Sequence, residues 1–316
     1  MTMKETVKSI SNIDALKVCL KKKEGEELFS SLHLSKIKQY DGITIKRVKM
    51  NKTDVGEDTI KIDIEADIFI DETTHKFGVL TISNKNPYCF IKVENRMFYE
   101  MLEVLEDGEQ LNMASLLPSI IGKMGNDVIL NNITSVDVCM DFDVSAVQKV
   151  RKAILDVDHL NLYVCNRRHT DDEREVNGCM FDFSTSRRRL IRKPSIYFKN
   201  NDHDNKMQVK IYDKANELKV QSPQKESYTR EWDGITGRLH RLEVSLTKEG
   251  VREYQNKHHL TAFEVLKGIF IPSFRLNLLL WGCDKLIYFK DREVARKKKG
   301  GRIGIVDIIT NNKPAY

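Results

Sequence analysis

The sequence predicts an α+β fold: a large, mainly antiparallel sheet with flanking helices and a helical, basic C-terminal segment. Three observations lead to this expectation. Segments of alternating apolar and polar residues, the period of a half-buried strand, recur along much of the chain. Between them lie a few stretches with apolar residues three and four apart, the spacing of an amphipathic helix. After Gly250 the composition shifts, first to a mostly apolar run from Thr261 to Phe289 and then to a basic one.

Taken in order, Ile13 to Leu32 reads as one or two short helices with a basic patch at Lys21, Lys22 and Lys23. Thr59 to Ile70 is the cleanest strand, with Ile60, Ile62, Ile64, Ala66, Ile68 and Ile70 alternating with Lys61, Asp63, Glu65 and Asp67. Phe77–Ser83 and Cys89–Glu94 read as its neighbours. Arg96–Leu105 and Leu116–Met124 have helical spacing. The Asp-rich run Ser135–Asp143 is a strand, followed by a helix from Val144 to about Leu155. Leu160–Cys165, Gly178–Phe183, Ser195–Phe198 and Met207–Tyr212 read as strands, and Asn200–Asn205 has the composition of the turn joining the last two. Leu239–Leu246 alternates again. No Pro/Gly/Ser linker cuts the chain. The expected organisation is a main domain over residues 1–250, with a sub-boundary near Asn131, and a C-terminal segment over 251–316.

With 316 residues the chain can bury a sizeable core. A net charge of +6 and a pI near 8.8 lean towards a polyanionic partner. The six cysteines, Cys19, Cys89, Cys139, Cys165, Cys179 and Cys283, form no CxxC pair, so neither a zinc site nor a disulfide framework is indicated and reduced thiols are expected. No apolar run has the form of a signal peptide or the length of a membrane span, so a soluble, cytoplasmic protein with no membrane partner is expected. There is no Walker A loop, no GxGxxG and no His-hydrophobic-His triplet, which argues against an ATPase, a dinucleotide enzyme and the common nicking endonucleases that bind metal through such a triplet.

Alternation sorts the candidate chemistry onto one face. Gln208, Lys210 and Tyr212 oppose Val209 and Ile211; Asp137, Asp141 and Asp143 oppose Val136, Val138, Met140 and Phe142; Arg241 and Glu243 oppose Leu242, Val244 and Leu246. If these strands share a sheet, one face holds a hydroxyl nucleophile, hard oxygen ligands and cations, the parts that phosphodiester cleavage requires. Asp137, Asp141, Asp143 and Glu243 are the candidate metal ligands, and an oxygen-only set suits Mg²⁺ or Mn²⁺ better than Zn²⁺. Three carboxylates on one strand face repel unless solvated, paired or metal-bound, so a solvated face balanced by Lys and Arg is the competing reading. Tyr212 is the candidate nucleophile, assisted by Lys210 or Arg241; Tyr197, across the expected hairpin, is the alternative. An unassisted phenol has a pKa of about 10 and attacks at neutral pH only with such help. His240 falls on the apolar side of its strand and reads as a core residue. The basic runs Arg187, Arg188, Arg189, Arg192, Lys193 and Arg296, Lys297, Lys298, Lys299, Arg302 are candidate DNA-backbone contacts.

The order of these segments resembles a known family. The Asp-rich strand, then Ser195-Ile196-Tyr197-Phe198, then Ile211-Tyr212-Asp213-Lys214 with Glu217, then Arg241-Leu242-Glu243 is similar to the Rep_trans-type plasmid rolling-circle replication initiators and their conjugative-element relatives. The span is about Ile133 to Tyr254. Filamentous-phage gene II/X replication proteins share a similar look. The resemblance implies a bacterial enzyme that nicks one strand at an origin. It would form a covalent 5′-phosphotyrosine through Tyr212 and leave a 3′ hydroxyl as primer. Asp137, Asp141 and Glu243 would be metal ligands, with Lys214 and Glu217 as further site residues. It also implies origin DNA, a host helicase and a homodimeric partner. The chain departs from the family after the first tyrosine, where Lys199-Asn200-Asn201 replaces the usual Gly-Ser/Asn-Arg. Two other readings remain open: a conjugative relaxase nicking a transfer origin, and a non-enzymatic origin- or operator-binding protein. Origin recognition is expected in the segment after Gly250.

Overall fold

The structure is a computed structural model. It describes residues 7–23, 38–40, 42–54, 60–70, 76–83, 87–99, 113–125, 127–170, 195–199, 206–235, 237–293 and 301–311. The strands are β1 (Ser9–Lys22), β2 (Lys38–Tyr40), β3 (Ile43–Asp54), β4 (Ile60–Ile70), β5 (Lys76–Ser83), β6 (Tyr88–Val93), β7 (Val128–Phe142), β8 (Leu160–Val164), β9 (Arg167–Arg168), β10 (Ser195–Lys199), β11 (Met207–Asp213), β12 (His240–Thr247) and β13 (Ile287–Asp291). The helices are α1 (Met113–Lys123), α2 (Ala146–Leu155), α3 (Lys214–Val220), α4 (Glu226–Asp233), α5 (Lys248–His258), α6 (Ala262–Gly268), α7 (Pro272–Leu286) and α8 (Ile305–Thr310). The fold is α+β. A ten-stranded sheet has the order β10-β11-β12-β7-β1-β6-β5-β4-β3-β2, and a three-stranded one the order β13-β8-β9.

The chain divides into two units. The first comprises Met1–Asn12, Asp137–Thr247 and Pro272–Tyr316; the second, Ile13–Val136 and Lys248–Ile271. Strands β1 and β7 each run through both. The chain passes from the first unit to the second between Thr247 and Lys248 and back between Ile271 and Pro272, so α5 and α6 belong to the second unit, and α7 and α8 to the first.

In the second unit, β3 to β6 form an antiparallel meander. Its core takes one face of each strand, including Ile43, Ile45, Ala66, Ile68, Phe77, Leu80, Ile82, Ile91 and Val93. The helix expected from Ile13 is instead part of β1. Leu16, Val18 and Leu20 alternate and are all buried, and Leu16 to Lys21 pair with β6. The three-residue step from Ile13 to Leu16 mimics a helical spacing, but the β-branched, period-2 run that follows belongs to a strand. The remainder of that expected helix, 24–32, lies outside the described residues, as do the strand expected over 178–183, the turn over 200–205 and the second half of the helix expected over 96–105.

In the first unit, α7 packs on the sheet through Gly282. A Cβ there would stand 2.4 Å from Val244 Cγ1, so only glycine admits so close an approach to β12. Arg275, about two turns before Gly282 on α7, is buried, and its guanidinium donates to Ser11 Oγ at 3.3 Å and to the Ser11 carbonyl at 3.1 Å. Burial lowers its pKa to about 10. Cys19, Cys89, Cys139 and Cys283 are buried thiols, Cys165 is half-buried, and no disulfide joins the described cysteines; Cys179 lies outside them. Burial pushes the Cys89 thiol up to about 12, where the reactive thiolate is scarce.

Candidate active site

Three strands of the first unit bring the candidate residues into register. β10 pairs antiparallel with β11, placing Ser195 opposite Tyr212 and Tyr197 opposite Lys210. β11 pairs antiparallel with β12, placing Lys210 opposite Glu243 and Tyr212 opposite Arg241. Side chains directly opposite share a face. Tyr197, Lys210 and Glu243 therefore form one row, and Ser195, Tyr212 and Arg241 the next row on the same face.

Glu243 is the hub. Its carboxylate is 4% exposed and accepts from three directions: Lys210 Nζ at 2.6 Å and Ser245 Oγ at 3.2 Å on Oε1, and the Tyr212 hydroxyl at 3.0 Å on Oε2. The Lys210 ammonium offsets the buried negative charge, and Ser245, two residues along the same face of β12, adds a neutral donor. This network separates the two candidate tyrosines. Tyr212 is half-buried and donates to Glu243, whereas Tyr197 is 37% exposed, one strand further out.

A carboxylate oxygen of Asp137, on β7, lies within 4.8 Å of one on Glu243. Such an all-oxygen pair fits the donor chemistry of Mg²⁺ or Mn²⁺.

Two other expected ligands go elsewhere. Asp141 and Arg241 close on each other with neither side chain exposed: Arg241 Nε donates to Asp141 Oδ1 at 2.6 Å and Nη2 to Oδ2 at 2.5 Å. This two-point pairing engages both carboxylate oxygens. In this structure Asp141 and Arg241, expected as metal ligand and catalytic cation, are thus each other's partners. Asp143 is exposed and accepts from the Lys8 backbone N–H at 3.1 Å. β7 ends at Phe142, so the strand alternation that put Asp143 on the acidic face no longer applies to it.

The segment after Tyr212 has a local structural reason. Asp213 caps α3, its side chain accepting from Asn216 N at 2.9 Å. Lys214 and Glu217, one turn apart, form an ion pair at 2.6 Å. Lys214 is buried, and its ammonium lies 5.8 Å from the Tyr212 ring centroid. Lys214 thus lies between the Glu217 carboxylate and the phenol ring of Tyr212. His240 is 7% exposed, and burial holds its pKa below the ordinary histidine value. The basic residues Arg187, Arg188, Arg189, Arg192, Lys193, Arg296, Lys297, Lys298 and Lys299 lie outside the described residues; Arg302 is described and exposed. No helix among the described residues is long and apolar enough to cross a membrane.

No protein-family model, curated protein or solved structure matches this chain.

Proposed function

We propose that this chain is a metal-dependent enzyme that nicks and rejoins one DNA strand through Tyr212, in the manner of a rolling-circle replication initiator. The observation that carries this reading is the Tyr212 hydroxyl donating to the buried Glu243 carboxylate at 3.0 Å, beside a second carboxylate, Asp137, and a lysine, Lys210. A nucleophile in contact with its base, with a cation next to that base, is the arrangement covalent catalysis needs. Tyr212 Oη attacks the scissile phosphorus and its proton passes to Glu243 Oε2. The bond from phosphorus to the 3′ oxygen breaks, and that oxygen takes up a proton as a free 3′ hydroxyl. The phosphotyrosine keeps a phosphodiester, so attack by a 3′ hydroxyl reverses the step without ATP. Asp137 and Glu243 would hold Mg²⁺ or Mn²⁺, whose Lewis acidity would polarise the phosphate. Lys210 keeps Glu243 ionised before the attack and offsets the negative charge that develops on the phosphate oxygens. On this reading the partners are origin DNA, a host helicase and a second copy of the chain.

The test is incubation with negatively supercoiled plasmid carrying the gene and its flanking DNA, with Mg²⁺, with Mn²⁺ or with chelator. Metal-dependent relaxation with protein-linked DNA is expected, with the adduct absent in Tyr212→Phe and present in Tyr197→Phe. The reverse pattern moves the nucleophile to Tyr197. DNA binding with no cleavage in any metal supports the second reading, a non-enzymatic DNA-binding protein, which the dry Asp141–Arg241 pair favours, since it shows part of the acidic face serving as structure.

A further inference from the structure

The three-stranded sheet has two unlike faces. Leu162, Val164, Ile287 and Phe289 are all buried on one. On the other, the register sets Tyr163 opposite both Tyr288 of β13 and Arg168 of β9. The two tyrosine rings stack at 4.8 Å with 6° between their planes. Lys290, two residues beyond Tyr288 and so on the same face, holds its ammonium 5.2 Å from the Tyr163 centroid and 6.0 Å from that of Tyr288. Arg302 joins them through an antiparallel bridge between Ile303 and Phe289. Its guanidinium carbon stands 4.2 Å over the Tyr288 ring, and Nη2 donates to Asn166 Oδ1 at 3.4 Å. Arg168 and Arg302 are exposed and Lys290 half-buried. The acidic neighbour Asp291 alternates to the opposite face.

Two features give this arrangement a purpose. The β8–β9 hairpin turns on Cys165 and Asn166, both at positive φ (49° and 63°), the tight primed turn that brings Arg168 back beside Tyr163. Tyr288 is covered, at 5% exposed, so it is no platform for a base, and Tyr163 is half-buried. Cation–π contact instead fixes two flexible basic side chains in place, which reduces the entropy lost when they meet an anion. Three positive charges held on one sheet face suit a polyanion with regularly spaced charges.

We propose that Arg168, Lys290 and Arg302 form a second DNA-contact surface, separate from the Tyr212–Glu243 site, that grips the sugar–phosphate backbone without reading sequence. This rests on the DNA-nicking reading and adds a docking site to it. Backbone contacts of this kind position the duplex, and their affinity falls with salt.

The test is fluorescence anisotropy of labelled duplex and single-stranded oligonucleotides of arbitrary sequence, titrated with the full chain at several salt concentrations. Replacing all three (Arg168→Gln, Lys290→Gln, Arg302→Gln) is expected to flatten the slope of log affinity against log salt by about 2.7 on duplex, three contacts at about 0.9 each. The charge-keeping variant Arg168→Lys, Arg302→Lys keeps the wild-type slope; melting curves of each variant confirm that it is folded. An unchanged slope in the folded triple-Gln variant overturns the surface while leaving nicking intact. A slope lost equally in the charge-keeping variant also overturns it, because charge would then not be the cause. A wild-type chain that neither binds DNA nor relaxes plasmid overturns both readings.

Discussion

Burying Arg241 with Asp141 strips water from two charges, and the pair holds only because each satisfies the other. Taking one away leaves an uncompensated charge in a dry setting. Asp141→Leu or Arg241→Met is therefore expected to cost about 3–5 kcal/mol. The double variant Asp141→Leu/Arg241→Met should recover much of that loss. Urea unfolding of the three variants measures both, and additive losses in the double variant would contradict the coupling. This pair also shows where sequence reading stops at the residue scale. Alternation correctly put Asp137, Asp141, Lys210, Tyr212, Arg241 and Glu243 on one face. It could not say which acid meets which base, because that depends on register between strands distant in sequence. Asp141 and Arg241 are one hundred residues apart.

At the scale of elements, the hairpin β10–β11, strands β4 to β6 and helices α1 and α2 were all legible, because each follows one clear period. Helix α3 was not, although its signals are local: Asp213 as cap and Lys214–Glu217 as a one-turn ion pair. In the sequence alone Lys214 and Glu217 read equally well as site residues, and only the three-residue spacing from Asp213 to Asn216 hints at a cap. The contact of α7 with β12 is invisible in sequence, since nothing marks Gly282 as a packing glycine. Val244 alternates with Glu243, so α7 presses on the back of the strand that carries the hub of the site. Gly282→Ala is expected to destabilise by about 1–3 kcal/mol despite the gain in helix propensity, because the added methyl meets Val244. Gly122→Ala in α1, where an added Cβ meets nothing within 4 Å, is the control and should gain up to about 1 kcal/mol. Equal shifts in the two melting temperatures would show that the close approach is tolerated.

At the scale of the whole molecule, a ligand that binds only the folded state raises its stability by mass action. Mn²⁺ or Mg²⁺ at about ten times its dissociation constant should add about 1.4 kcal/mol, a rise of roughly 2 °C in melting temperature for a chain of this size. The rise should vanish in Asp137→Asn and survive in Asp143→Asn, which lies off the acidic group. A rise that persists in Asp137→Asn would place the metal elsewhere. The α+β class was legible because it depends only on counting periods. The division into units was not, since the chain leaves and re-enters each unit and no linker composition marks the crossings.

The thiol of Cys139 lies 3.5 Å from the Asn12 carbonyl. Asn12 is where the chain leaves the first unit, and Asp137, two residues before Cys139, is where it returns. The points of first exit and first return are thus neighbours within the first unit. A short loop could join Asn12 to Asp137 directly, and Tyr212, Lys210 and Glu243 all follow that joint in the sequence. The length of chain between the two points is therefore free to vary without moving the ends that the first unit has to hold.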